Sequence, residues 1–155
     1  MKVKKLLIPG CLLVLFLMAG STSKEVKTND LQGSWTMIKY KYGSEKELSE
    51  VPDIITYVKH ITRSHFSWAS YGENGNLIAA GGGTYEIEGN KYREHIDYFH
   101  PLGSNLPGSS VEFDFVLNGN DWTISGFIKN VQINPGSGIY EQVDSIRLEE
   151  VWRRL

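Results

Sequence analysis

Between residues 33 and 154 the chain is cut into short segments of alternating apolar and polar residues by turns rich in Gly and Asn, and this punctuation limits the fold more than any motif does. Gly72-Glu73-Asn74-Gly75-Asn76, Glu88-Gly89-Asn90-Lys91 and Asn118-Gly119-Asn120-Asp121 place Gly and Asn where a hairpin requires positive φ. Connections this short cannot hold the crossover that parallel neighbours need, so consecutive strands run antiparallel. The alternation predicts eight of them, at 33–42, 55–61, 64–71, 77–88, 91–99, 111–118, 121–129 and 145–154. A meander of eight strands removes its exposed edges by closing on itself, and the expected fold is an all-β, eight-stranded antiparallel up-and-down barrel. Residues 43–53, with Glu45, Glu47, Glu50 and Pro52, read as a lid-like connection with room for one helical turn. Residues 100–110 and 130–144, rich in Gly, Pro, Ser and Asn, read as surface loops.

The N-terminal end has a different character. Lys2, Lys4 and Lys5 precede an apolar run from Leu6 to Ala19 and then the small polar run Gly20-Ser21-Thr22-Ser23, the three-part layout of a cleaved secretory signal. The apolar run of 14 residues, interrupted by Pro9 and Gly10, is shorter than the ~20 needed to cross a bilayer as a helix. Ile8-Pro9-Gly10-Cys11 loosely resembles a bacterial lipoprotein cleavage box, but the apolar residues 12–18 follow Cys11 where a mature lipoprotein would carry a polar tether. The expected organisation is therefore a signal peptide at 1–23, a polar lead-in at 24–32 and one barrel domain at 33–155, exported to the periplasm or secreted. Membrane contact is expected only through the leader before cleavage.

Cleavage would take three lysines, leaving 13 basic against 18 acidic residues and a net charge of −5, compared with −2 for the whole chain. That balance argues against nucleic acid and anionic membrane surfaces as partners. The remaining domain would hold no cysteine, hence no disulfide and no thiolate chemistry.

Alternate residues of a strand share a face, so each strand offers two sets to compare. Val111, Phe113, Phe115 and Leu117 form one apolar set; Tyr92, Glu94, Ile96 and Tyr98, Trp122, Ile124, Gly126 and Ile128, and Ile146, Leu148, Glu150, Trp152 and Arg154 form three more. Two carboxylates, Glu94 and Glu150, thus fall on inward faces. An unpaired buried carboxylate is costly, so each must be paired, hydrogen-bonded, wetted by a cavity or raised in pKa. A partly polar cavity satisfies this; so would a position near the rim, or ion pairs with Arg154.

Other candidate motifs are weaker. Gly81-Gly82-Gly83 has no following Lys-Ser/Thr and no helix, so it is no phosphate loop, and glycines there serve a bend or a close approach to the backbone. His60, His65, His95 and His100 show no metal-ligand spacing, and neither a metal nor another cofactor is expected. His65, beside Phe66 and Trp68, is the histidine best placed to reach a pocket. No Gly-x-Ser-x-Gly elbow occurs, and no catalytic residue is assigned.

Gly33-Ser34-Trp35 on the first strand with Trp152-Arg153-Arg154 on the last resembles the lipocalin-like, or calycin, arrangement, in which the tryptophan plugs one end of the barrel against a late basic residue. Together with residues 61–68, Gly81-Gly82-Gly83-Thr84-Tyr85, Tyr92-Arg93-Glu94-His95-Ile96 and Glu149-Glu150-Val151, the chain from Leu31 onward resembles a family of small secreted bacterial lipocalin-like proteins of unknown function. The resemblance implies an exported eight-stranded barrel around a small apolar ligand, and it brings no substrate or catalytic residue with it. The expected function is binding of a small hydrophobic or amphipathic molecule. Phe66, Trp68, Tyr85, Tyr92, Phe113, Phe115, Trp122 and Trp152 would be its walls, and His65, Glu94 and Glu150 its few polar contacts. Two alternatives stand beside it: an isomerase or cyclase with Glu94 as general base assisted by His65 or a tyrosine, and an envelope interaction module whose barrel is filled solid.

Overall fold

A single helical turn, α1 (Thr28–Leu31), leads directly into β1 (Gly33–Tyr42) in the computed structural model, which describes residues 28–101, 105–133 and 141–155. Then follow β2 (Ser49–Glu50), β3 (Ile55–Ile61), β4 (His65–Gly72), β5 (Leu77–Glu88), β6 (Lys91–His100), β7 (Ser110–Asn118), β8 (Asp121–Ile133) and β9 (Glu141–Arg154). From β3 to β9 every strand pairs antiparallel with the next, and β9 pairs back onto β1, from Trp35 opposite Arg154 to Tyr42 opposite Leu148. β3 joins only the first part of β1, from Gly33 to Thr36, closing an eight-stranded barrel. The two-residue β2 adds to the same edge farther along, opposite Lys39 and Tyr40.

The turns between strands use the residues that the sequence offers for them. Gly75, Gly89 and Gly119 adopt φ of 73°, 59° and 61°, a region that side chains with a Cβ rarely enter. Three expectations are corrected. The lead-in is not merely polar: Leu31 is fully buried and its carbonyl accepts a hydrogen bond from Trp35 Nε1 at 2.9 Å. The lid-like connection forms β2 rather than a helical turn. The expected surface loop 130–144 begins and ends as ladder, since β8 and β9 stay paired from Lys129 opposite Ser145 to Ile133 opposite Glu141; residues 134–140 lie outside the described residues. The predicted signal peptide, Cys11 and residues 24–27 lie outside the described residues.

The end of the barrel beside α1 is solid. Trp35, Tyr92 and Trp122 are fully buried, with Trp35 and Trp122 edge-to-face at 5.4 Å and Tyr92 perpendicular to Trp122 at 5.1 Å. Arg154 lies over the Trp35 ring at 4.2 Å and donates to the carbonyls of Gln32 at 2.7 Å and Asp30 at 2.6 Å. One cation thus holds the tryptophan plug and the helical turn beneath it.

Two bulges reset the inward face toward the other end. In β6 the register passes from Gly83 opposite Ile96 to Gly82 opposite Tyr98, leaving Asp97 as the extra residue. A Cβ on Gly83 would stand 1.9 Å from the backbone oxygen of His95, so the bulge brings two backbones closer than any other residue would allow. Beyond it Tyr98, expected inside, turns out and is 50% exposed, while Phe99 turns in against Trp68 at 5.8 Å. In β1, Met37 faces Trp152 but Lys39 faces Val151, so Ile38 is extra and the interior face passes to even-numbered positions, Tyr42 among them.

Candidate functional site

Between the tryptophan plug and the open end lies a cavity of about 110 Å³. Its walls are apolar: Phe66 and Trp68 from β4, Phe99 and Ile96 from β6, Val111 and Phe113 from β7, Ile124 and Ile128 from β8, with Met37, Leu106, Leu148 and the backbone of Gly82 completing them. The alternation of β7 and β8 accounts for this, since their apolar residues are in phase with the burial seen along each strand. Set into these walls are five polar side chains, Tyr42, Tyr57, Lys59, Glu94 and Glu150.

Lys59 and Glu94 form the deepest pair. Lys59 Nζ donates to Glu94 Oε1 at 2.8 Å, and the two side chains are only 4% and 7% exposed. The ammonium is surrounded by the rings of Phe66, Tyr92, Trp122 and Trp152, with centroids 5.6, 5.7, 5.2 and 5.1 Å away. A cation removed from water is thus held by one carboxylate and by the negative faces of aromatic rings.

Among the described residues no cation is bonded to Glu150. Its Oε1 accepts from the Tyr42 hydroxyl at 2.7 Å and its Oε2 from Trp152 Nε1 at 2.9 Å. Burial pushes its carboxyl above the ordinary value, an effect that the Lys59 charge and the two hydrogen bonds oppose and the Glu94 charge reinforces. Tyr42 is 37% exposed as a residue, yet its hydroxyl points inward, and burial together with the Glu150 charge raises it far above the usual phenol range. Tyr57 is raised too, by burial first and then by the Glu150 charge. The Tyr92 hydroxyl, buried beside this group, is raised chiefly by burial, with the nearby Glu94 carboxylate adding to it.

Of the sequence-predicted residues the structure brings Phe66, Trp68, Glu94, Phe113 and Glu150 to the cavity. Tyr85, Tyr92, Phe115, Trp122 and Trp152 are buried but do not line it; they pack the solid end of the barrel. His65 is corrected outright: it opens β4 on the outer face, exposed, with Nδ1 2.9 Å from Ser64 Oγ, because strand alternation puts it opposite in phase to Phe66 and Trp68. The rim alternative fails for Glu94, which is 6% exposed and paired with Lys59, whereas Glu150 is half-buried; the Arg154 pairing fails for both, since Arg154 is committed to the backbone of α1 and Gln32. The other histidines serve the outer surface: His60 Nδ1 meets Ser34 Oγ at 2.9 Å and His95 Nδ1 meets Ser110 Oγ at 2.7 Å. Among the described residues no three His, Cys, Asp or Glu side chains converge as a metal site.

Lys59, Tyr42, Tyr57 and Phe99 were absent from the expected site. For Lys59 a signal existed: it is in phase with Tyr57 and Ile61, and two inward carboxylates called for a cation. For Tyr42 and Phe99 none existed, because each lies beyond a bulge that alternation does not reveal.

No protein-family description and no curated protein sequence matches the chain. Similar solved structures do exist. The crystal structure of a lipocalin-like protein from Bacteroides uniformis matches 81% of this chain and 99% of that one, with a TM-score of 0.51 and 14% sequence identity. An uncharacterized protein from Bacteroides eggerthii matches 80% of this chain and 98% of its own, with a TM-score of 0.48 and 14% identity. Barrel closure, the Trp35–Arg154 plug and the first of these likenesses converge on one architecture, and the chain has the fold of a lipocalin-like eight-stranded β-barrel.

Proposed function

We propose that this barrel binds a small amphipathic molecule in its interior. The observation that carries the reading is the cavity itself, apolar on most of its wall and furnished with a buried Lys59–Glu94 pair and with Glu150. A core built only for stability gains little from such a pair, since a buried ion pair is often no better than well-packed apolar residues of the same volume. Ligand pockets have this composition, a hydrophobic lining with a few fixed polar groups that orient the guest. The isomerase or cyclase alternative loses its assisting histidine, because His65 stands on the outer face. The filled-barrel alternative describes only the tryptophan end. Export follows from the leader, with Lys2, Lys4 and Lys5 ahead of the apolar run 6–19, and cleavage is placed after Ser21 or Ser23.

Native mass spectrometry on the protein recovered after expression of the full chain tests both statements. The expected result is a mature N-terminus in the exported fraction and an added small mass that is lost on denaturation and absent from Trp68→Ala, whose indole forms part of the wall. A bound mass that survives Trp68→Ala unchanged would show that the ligand sits elsewhere.

A further inference from the structure

We infer that the guest of this cavity is a small organic cation, an amine or ammonium group carried on an apolar body. The inference rests on the reading of the cavity as a binding site and adds the charge of what it takes. Among the described residues that line the space, three carry formal charge: Lys59, Glu94 and Glu150. Lys59 and Glu94 neutralise one another at 2.8 Å. Glu150 is left with two neutral donors, the Tyr42 hydroxyl and Trp152 Nε1, and so the ionised site holds one negative charge in excess. A carboxylate accepts about four hydrogen bonds, two per oxygen, so each oxygen of Glu150 keeps one acceptor position beyond the bond it already receives.

The remaining wall fits a cation as well as the charge does. Trp68 and Phe99, edge-to-face at 5.8 Å, and Tyr57 present aromatic surface to the same space, and aromatic faces attract ammonium groups most strongly where water is excluded. An anionic guest such as a fatty carboxylate meets the opposite situation. The one ammonium in the lining is already engaged by Glu94, and the anion would add a like charge beside Glu150 in a poorly solvated space. A neutral guest still gains a hydrogen bond to the ionised carboxylate, but it lacks the charge–charge attraction that an ammonium adds to that bond, and a bond with an ionised partner on each side is the stronger.

An isosteric trio separates these cases: benzylammonium, benzyl alcohol and benzoate, each titrated at pH 7 by calorimetry into the protein purified after expression of the full chain. Benzylammonium should bind about tenfold more tightly than benzyl alcohol, and benzoate about tenfold more weakly than the alcohol. In Glu150→Gln, checked for a native near-ultraviolet spectrum, the amine-to-alcohol ratio should fall toward one. The wild-type series decides the matter even if that variant does not fold. Equal or tighter binding of benzyl alcohol overturns the inference and leaves the cavity as a binding site. Tightest binding of benzoate overturns it in favour of Lys59 as the controlling charge. No binding by any of the three refutes the binding-site reading, and the inference with it.

Discussion

Replacing Lys59 by Met tests how the charged floor of the cavity is held together. Methionine keeps the length and apolar stem of lysine among the four rings and removes only the ammonium. Glu94, whose side chain is 7% exposed, then remains buried without the cation 2.8 Å away, and Glu150 loses the same positive field. Removing one partner of such a pair costs about 3–5 kcal/mol, a large part of the roughly 5–15 kcal/mol that stabilises an ordinary domain. Urea unfolding at pH 7, followed by tryptophan fluorescence, should show that loss as a lower midpoint with an unchanged slope, and thermal unfolding a Tm lower by about 10–20 °C. Glu94→Met should cost less, because Lys59 still feels the Glu150 carboxylate. The double variant Lys59→Met with Glu94→Met should recover more than half of the Lys59→Met loss, since neither charge is then stranded. A loss below about 1 kcal/mol in Lys59→Met, or strict additivity in the double variant, would refute the account of a desolvated, mutually dependent pair.

Gly83→Ala should destabilise the barrel by about 2–4 kcal/mol in thermal melts, because its Cβ would meet the His95 backbone oxygen at 1.9 Å; Gly82→Ala should cost less, since it meets the half-exposed ring of Tyr98, which can move aside. Equal losses in the two would contradict the close backbone approach at the bulge. Arg154→Ala should cost about 1.5–3 kcal/mol and speed hydrogen exchange through α1 and the start of β1, because two charge-assisted bonds to backbone carbonyls and the cover over Trp35 disappear together. Unchanged exchange at Trp35 would show that the plug holds without its arginine. Glu150 makes stability fall with rising pH: its folded value lies above the ordinary 4.5, so from that pH up to the folded value the native state holds the proton more tightly than the unfolded chain does. The stability of Glu150→Gln relative to wild type should therefore rise as pH increases from about 4.5 and level off above the folded value, and a difference that stays flat across this range would mean that the carboxyl is not desolvated.

The barrel was legible because its information is local. Gly75, Gly89 and Gly119 announce their turns, and the spacing between turns leaves no length for anything but antiparallel neighbours. A pairing of Trp35 with a late basic residue was readable only through the resemblance, which did not choose between Arg153 and Arg154, and the structure sets Arg154 over Trp35 at 4.2 Å. The site was read in part, for physical reasons that differ by residue. Glu94 and Glu150 stood out because a carboxylate in an apolar register is conspicuous. Lys59 did not, because a long amphipathic side chain on a strand normally reaches solvent from either face. Tyr85, Tyr92 and Trp122 were rightly placed inside, but alternation specifies the face and not the height along the barrel axis, and height separates the plug from the cavity. The ends of β8 and β9 were missed since Pro135, Gly136 and Gly138 mark a break without marking how far pairing continues on either side of it.

The extra residue in each of β1 and β6 acts like a splice between two reading frames. Below the splice the inward side chains Trp35 and Tyr92 pack the solid end, while Met37 and Glu94, the latter held in its ion pair with Lys59, close the floor of the cavity, and exchanges there lower stability. Above it the same strands turn different positions inward, and those, Tyr42 and Phe99 among them, border the hollow part of the barrel. A related sequence could therefore exchange its guest by changing residues on one side of the splice while leaving the packed core around the tryptophans untouched, and a shift of either extra residue by one position would hand the mouth of the barrel a new set of side chains.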